Sequence, residues 1–371
     1  MHETFNYGIG AQYMINKGNY ITADYYADHF SSSYCFFKDN KTYNGKAGEE
    51  QVRKRTRNHN LSIKGIFKLG NRHKLSVGTE YIVDVLKSQT DNIAKEDAYT
   101  LALFAQDEIK LLRNLQALIG VRYIYHENFK NHATPNVALM YKPGKFNFRA
   151  SYASGFRTPT LSELYATDIA KKNDRLTIGN LDLKPEKNNY FSLSAEYVHE
   201  RFSVSVNAFY NNIRDMIDYN TIATGDKAME QYGHKEVRQR DNIAEAKVHG
   251  INVSANAYLG AGFNLSGGYT HLNTQDVELE QPIDKSIKNA YNINAQWAHS
   301  WKIYRLNINL NGRFNSKRFS KSYGYAPEYQ LWDLNTRHSF NLKSVIIEPG
   351  CGMENLFDYM DDRPYNSNYA T

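Results

Sequence analysis

Two short runs hold the side chains best suited to chemistry, Phe156-Arg157-Thr158-Pro159-Thr160-Leu161 and Asn180-Leu181-Asp182-Leu183-Lys184-Pro185-Glu186. Arg157 is a permanent cation whose planar fork of donors suits a carboxylate or an anionic ligand. It can therefore bind an anionic ligand, or pair with Asp182 or Glu186 in its own loop. The second, a loop latch with residues 180–186 as its other half, is the favoured reading. Pro159 lacks an N–H, so it ends a strand ladder, and it keeps residue 158 extended. Two further stretches combine cations with aromatic rings. One holds Lys38, Lys41, Lys46, Arg53, Lys54 and Arg55; the other holds Lys317, Arg318, Lys321, Tyr323 and Tyr325. Such groups attract and stack anionic or aromatic chelates. Arg157, Arg318, Tyr323 and Tyr325 are thus candidate ligand contacts. The same cations would equally serve phosphates at a membrane surface, or solvation alone.

Other reactive types are scattered. His126 and His132 flank a short loop, while His59, His73, His234 and His271 stand apart, so no metal site is expected. His249 and His271 have Ser254 and Ser266 near them in sequence, as any serine-rich β protein would, and no catalytic residue is expected. Cys35 and Cys351 are far apart and fit neither a disulfide framework nor a zinc cluster. The net charge of +6 over 371 residues, with no dense basic run, gives no reason to expect nucleic acid. Hydrophobic residues at 41% and charged residues at 23% exclude disorder of the whole chain. No cofactor is implied.

The elements that must carry these residues show themselves by alternation. Tyr304, Leu306, Ile308, Leu310, Gly312 and Phe314 alternate with Arg305, Asn307, Asn309, Asn311 and Arg313. Ile251, Val253, Ala255, Ala257 and Leu259 alternate with Asn252, Ser254 and Asn256; Phe202, Val204, Val206, Ala208 and Tyr210 with Ser203, Ser205 and Asn207. The same period of two recurs at 191–197, 291–297 and 75–81. This is the signature of strands with one apolar and one polar face. Three features point to a membrane barrel rather than a soluble sandwich. The segments reach the roughly 9–11 residues needed to cross a bilayer. Their polar faces carry Asn, Ser, Gln and Arg, which suit a wet interior. Their apolar faces often end in aromatic rings, as an interfacial girdle does. The 29 Tyr and 18 Phe against 3 Trp agree with such a girdle. No stretch is long and apolar enough for a transmembrane helix, which leaves barrel strands untouched.

About sixteen strands are expected, near 4–14, 19–35, 55–69, 72–87, 98–112, 115–128, 133–142, 145–155, 188–199, 201–219, 239–258, 262–275, 286–300, 302–318, 328–341 and 343–354. Short connections such as Lys17-Gly18, Gly70-Asn71 and Pro143-Gly144 alternate with long ones near 36–54, 88–97, 129–132, 156–187, 220–238, 276–285 and 319–327. Tight turns at one rim and long loops at the other are the habit of outer-membrane barrels. The fold class expected is all-β: a transmembrane antiparallel β-barrel.

Several motifs resemble those of TonB-dependent outer-membrane receptors. They are Phe104-Ala105-Gln106-Asp107-Glu108; Gly120-Val121-Arg122-Tyr123; Tyr152 through Gly155-Phe156-Arg157-Thr158-Pro159 to Glu163-Leu164; and Gly179 through Asn180 and Leu183-Lys184-Pro185-Glu186. Asn242 through Ala246 to Gly250 and Asn355-Leu356-Phe357-Asp358 complete the set, in the family's order. Thr158 stands for the usual Ala, Leu181 for Pro, and Asn252 for a common Glu. The resemblance runs most clearly from 100 to 358 and makes Phe156, Arg157, Pro159, Leu161, Asn180, Asp182, Leu183, Pro185, Glu186, Asn355, Leu356 and Phe357 the motif residues. It implies a partial barrel, about 16 of about 22 strands, from the sixth to the twenty-first, without plug or last strand. Met1-His2-Glu3 shows no leader peptide, so either the chain begins inside a longer protein, as the resemblance implies, or the membrane reading fails. The implied function is TonB-coupled uptake of a ferric siderophore, haem or cobalamin across a Gram-negative outer membrane; the alternative is a passive porin-like channel. Implied partners are outer-membrane lipid and lipopolysaccharide, the chelate or cobalamin-type ligand, and the TonB complex acting through a plug missing from this chain. Some haem receptors of the family carry a His between the two loop motifs; residues 157–186 contain none, which disfavours an axial haem ligand here.

Overall fold

The computed structural model describes residues 1–41, 44–170, 174–320 and 324–360. Lys321 and Tyr323 lie outside the described residues. The elements run β1 (His2–Asn16), β2 (Asn19–Cys35), β3 (Glu50–Leu69), β4 (His73–Ser88), β5 (Ile93–Leu112), β6 (Leu115–His126), β7 (Lys130–Tyr141) and β8 (Phe146–Arg157). A loop follows that holds α1 (Leu161–Tyr165), β9 (Thr167–Ala170) and β10 (Arg175–Ile178). Then come β11 (Glu186–Val198), β12 (Phe202–Thr224), α2 (Gly225–Tyr232), β13 (Glu236–Gly260), β14 (Phe263–Asp276), β15 (Asn289–Ser300) and β16 (Tyr304–Asn315). The chain ends with β17 (Arg318–Ser320), β18 (Gly324–Ala326), β19 (Tyr329–Asn341), β20 (Ile346–Ile347) and β21 (Gly350–Met353).

The long strands stand where alternation places them, and several run further into the loops than expected. β12 continues to Thr224 and β5 begins at Ile93. The last expected strand is split into β20 and β21, with residues 348–349 between them. Pro349 has no N–H to give the ladder, so pairing breaks there and resumes at Gly350. The short loop elements α1, α2, β9, β10, β17 and β18 have no counterpart in the sequence reading.

Two compact units make up the chain. Unit one comprises residues 1–138, 153–189 and 213–245; unit two comprises 139–152, 190–212 and 246–371. In unit one, β1 to β6 form a continuous antiparallel meander, each strand paired with the next in sequence. One face carries polar side chains that bond across strands: Asn58 to Asp84 at 2.7 Å, Asn60 to Glu80 at 2.8 Å, and Arg122 to Glu80. The other face exposes Leu61, Ile63, Leu101, Leu103 and Val121. The loop end of this unit has small apolar cores of its own. Leu164, Leu183 and Ile217 are buried together with Phe129 and Tyr165 against them. Leu176, Ala223, Ala228 and Val237 form a second cluster, joining β10, the end of β12, α2 and the start of β13. There β10 pairs in parallel with β13, from Arg175 opposite Glu236 to Ile178 opposite Gln239. That parallel pair departs from the all-antiparallel expectation, and it is possible because a long loop separates the two strands.

In unit two, β13, β14, β15, β16 and β19 pair antiparallel in order. An amide ladder lines the polar face: Asn294 donates to Asn309 at 2.7 Å and to Asn311 at 2.5 Å, and Gln296 to Asn307 at 3.1 Å. A cavity of about 660 Å³ lies against Asn294, Gln296, Asn335 and Arg337. The opposite face carries rings at its edges, with Tyr269 stacked on Tyr291 at 4.6 Å and Phe314 edge-on to Trp332 at 5.4 Å.

Candidate functional site

Arg157, the last residue of β8, is the centre of the best-built polar cluster in unit one. Its Nε donates to Glu186 Oε2 at 2.8 Å and Nη2 to Glu186 Oε1 at 2.5 Å, a two-toothed grip on one carboxylate. On its other side Nη1 and Nη2 reach Glu163 at 2.9 and 3.3 Å. A guanidinium can hold two carboxylates at once because its donors diverge in one plane. Asp182, offered above as a partner, is not one: its amide instead donates to Asn180 Oδ1 at 2.9 Å.

Glu163 is held in place by local helix chemistry. Thr160 is the N-cap of α1 and has extended backbone; its Oγ1 accepts from the Glu163 amide at 3.2 Å. Glu163 Oε2 in turn accepts from the Thr160 amide at 2.8 Å. This reciprocal capping box fixes the glutamate with its carboxylate toward Arg157. Glu186, the first residue of β11, also accepts from the Ile217 amide at 2.9 Å, so one carboxylate ties β8 and β12 together.

A second clamp works on the same loop. The Asn242 side chain accepts from the Lys184 amide at 2.7 Å and donates to the Lys184 carbonyl at 2.9 Å and the Asp215 carbonyl at 2.6 Å. One amide thereby acts as a strand partner for a residue outside any strand. Leu183 and Pro185 are buried on either side of Lys184, and Pro159 is buried at the opposite end of the loop. Leu161 is half-buried on α1. Phe156 stacks on His132 with centroids 4.0 Å apart. His132 Nε2 lies 2.9 Å from the Phe129 carbonyl, so its ring is occupied locally.

The electrostatics follow from this geometry. The cluster lies beyond the apolar stripes of β8 and β11, at residues 146–152 and 191–197. Burial opposes the charge on both glutamates. Hydrogen bonds from Arg157, Thr160 and the Ile217 amide outweigh it and hold both carboxyls below the usual glutamate range. The bonds to Glu186, and then those to Glu163, hold the guanidinium charged well above its ordinary value.

The remaining candidates lie elsewhere. Arg318 is half-buried on β17, and Tyr325 is exposed on β18 with its ring 5.3 Å from Phe319. Asn355 sits in a turn at φ 50°, its amide donating to Asp333 at 3.0 Å and its side chain bridging to Tyr359 at 2.9 Å each way. The Leu356 amide donates to the Trp332 carbonyl at 2.7 Å, and the exposed Phe357 stands edge-on to Trp332. Asn355, Leu356 and Phe357 finish the sheet edge of unit two. Among the described residues no group of three metal-ligating side chains comes together. Sequence reasoning does not single out Glu163 and Asn242 as site residues, although both lie inside motifs quoted above. The T-x-x-E spacing of Thr160 and Glu163 is the signal for the first.

Comparison with known proteins places this geometry among relatives. The family model described as TonB dependent receptor-like, beta-barrel, matches residues 2–351. An iron-regulated outer membrane virulence protein of Vibrio cholerae is 24% identical over 306 residues, covering 77% of this chain and 45% of that protein. A probable hemoglobin and hemoglobin-haptoglobin-binding protein 4 of Haemophilus influenzae is 28% identical over 165 residues, 41% of this chain and 16% of that protein. Among solved structures, the ferric enterobactin receptor PfeA of Pseudomonas aeruginosa, in a mutant form, matches 96% of this chain and 56% of its own with TM-score 0.79 at 17% identity. The siderophore receptor PirA of Acinetobacter baumannii matches 96% and 58% with TM-score 0.74 at 16% identity. At these identities the structures show a shared fold. The chain spans less than half the length of these curated relatives.

Proposed function

Because the chain belongs to the TonB-dependent receptor-like β-barrel family, we propose that it forms wall and loop mouth for energy-coupled import of a ferric siderophore. The family is one of transport receptors of the Gram-negative outer membrane, and the fold class is its antiparallel β-barrel. One observation carries the reading. Strands within the matched residues 2–351 carry an exposed apolar face and a hydrogen-bonded face of amides and charges, as a wall between lipid and an aqueous passage requires. In the same reading the long strands correspond to the sixth through the twenty-first of about 22.

The cargo follows from charge and from the relatives. Arg318 and the exposed ring of Tyr325 suit an anionic, aromatic iron chelate. Arg157 is engaged by two carboxylates, so its part is to hold the loop in shape rather than to receive the chelate. Energy arrives from the TonB complex through a plug segment. The test is growth of a strain deleted for the gene on a panel of ferric siderophores, haem and cobalamin as sole sources. Loss of growth on one ferric siderophore, restored by the gene only when TonB is present, supports the proposal. Growth that needs the gene but not TonB would establish the porin-like alternative, and loss confined to haem or cobalamin would replace the cargo.

A further inference from the structure

At the loop end of unit two, the last rung of the β16–β19 ladder is Asn315 opposite Tyr329. The chain leaves that rung through Ser316 and Lys317, forms the β17–β18 hairpin, and returns through Pro327 and Glu328. Hairpin register sets Arg318 opposite Ala326, so Lys317 and Glu328 stand at its base, one on each leg. Beside this base opens a cavity of about 510 Å³, lined by Lys317, Tyr325, Glu328, Tyr359 and Met360. Its size falls within the roughly 300–1,000 Å³ of small-molecule sites.

Both walls are braced by contacts of their own. Across the hairpin, the rings of Phe319 and Tyr325 meet edge-on with centroids 5.3 Å apart. On the other side, the Asn355 side chain bonds the Tyr359 backbone in both directions at 2.9 Å, and the Tyr359 ring stacks on Tyr329 at 5.5 Å. The motif residue Asn355 thereby fixes the second wall. The charges of the cavity have no such partners. Lys317 and Glu328 are exposed, and among the described residues neither forms a hydrogen bond or an ion pair, with each other or with a neighbour. A ligand that is only an anion gains from Lys317 and is repelled by Glu328; a ligand that is only a cation meets the reverse. An arm that carries both charges satisfies both walls, and an aromatic ring on it has Tyr325 and Tyr359 to pack against.

We propose that this cavity binds a zwitterionic amino-acid arm of an aromatic iron chelate. The arm's carboxylate meets Lys317, its ammonium meets Glu328, and its ring lies against Tyr325 and Tyr359. The site rests on the reading of the protein as an iron-chelate receptor. It narrows the cargo from anionic aromatic chelates in general to those with a free amino-acid group.

The test titrates the protein in detergent with gallium chelates of three catechols, read by isothermal titration calorimetry. Dopa carries ammonium and carboxylate, dihydrocaffeate carries the carboxylate alone, and dopamine carries the ammonium alone. All three hold the metal through the same pair of phenolate oxygens, so only the arm differs. The dopa chelate is expected to bind at least about tenfold more tightly than either of the others. Lys317→Gln should remove its advantage over the dopamine chelate, and Glu328→Gln its advantage over the dihydrocaffeate chelate, each leaving the other advantage in place. Equal affinity for the three chelates, or binding of none, overturns the proposal. So does a dopa advantage that survives both substitutions. If a variant fails to fold, the three-chelate comparison on the unaltered protein decides alone. Siderophore-dependent growth without a dopa preference removes this site and leaves the import reading standing; a dopa preference without TonB-dependent growth does the opposite.

Discussion

At the scale of single residues, the loop between β8 and β11 is held by donors whose geometry matters more than their charge. Arg157 grips Glu186 with two nitrogens and Glu163 with two, and a lysine could satisfy only part of that set. Arg157→Lys is therefore expected to raise protease cleavage within residues 158–185 while leaving the strands protected, checked by limited proteolysis and mass spectrometry. Both glutamates titrate lower in the folded loop than in an unfolded chain. Their contribution is present above the ordinary glutamate pKa of about 4.3 and is lost as pH falls through the lowered values. Protection of this loop's amides, taken relative to their intrinsic exchange rates, should thus be constant from neutral pH to about pH 5 and fall below about pH 4. Unchanged protection at pH 3 would remove the two carboxylates from the account. Asn242 is a separate handle. Asn242→Ala leaves the Lys184 amide and two carbonyls without their partner, a cost of about 1–3 kcal/mol for a group that stays dry. Faster hydrogen exchange at the Lys184 amide is the expected readout, and wild-type protection there would count against the clamp.

At the scale of elements, glycine shows why a motif position is what it is. Gly250 lies mid-strand in β13, and a Cβ there would meet the His271 carbonyl of β14 at 2.2 Å. The backbones approach too closely for a side chain. Gly250→Ala is expected to spread the β13–β14 ladder and cost about 1–3 kcal/mol, read as a lower urea midpoint of unfolding in detergent; an unchanged midpoint would show that the sheet absorbs the methyl. The short loop elements were hidden in the sequence for a related reason. α1 has five residues and β9 and β10 four each, too few for a period to emerge. α1 is held by Leu164 packed with Leu183 and Ile217, and β10 by Leu176 packed with Ala223, Ala228 and Val237, residues far apart in the chain. Tertiary packing stabilises such pieces, and local propensity alone does not.

At the scale of the whole molecule, the two faces of each strand meet different solvents. Leu193 on β11 is 63% exposed, while its neighbour Ser192 bonds Ser151 across the sheet at 2.8 Å. In hydrocarbon, Leu193→Arg should cost about 2–4 kcal/mol near the midplane, against about 0–1 kcal/mol for Ser194→Arg on the polar face. Refolding into lipid vesicles under a urea series measures both, and equal tolerance would contradict the face assignment.

The alternation of side chains by itself determined the strands, their faces and the parity of turns and loops, because a strand exposes successive residues to opposite sides whatever its neighbours do. The ordered motifs gave the family. Arg157 and Glu186 could be named as a pair from their places in one loop. Only the tertiary structure decided that Glu163 and not Asp182 completes the grip, and that Asn242 holds Lys184. Those relations depend on loop path and cross-strand register. Register is set by the pairing of many residues at once, and the loop path by apolar contacts between segments distant in the chain, so neither is a property of any one stretch of sequence.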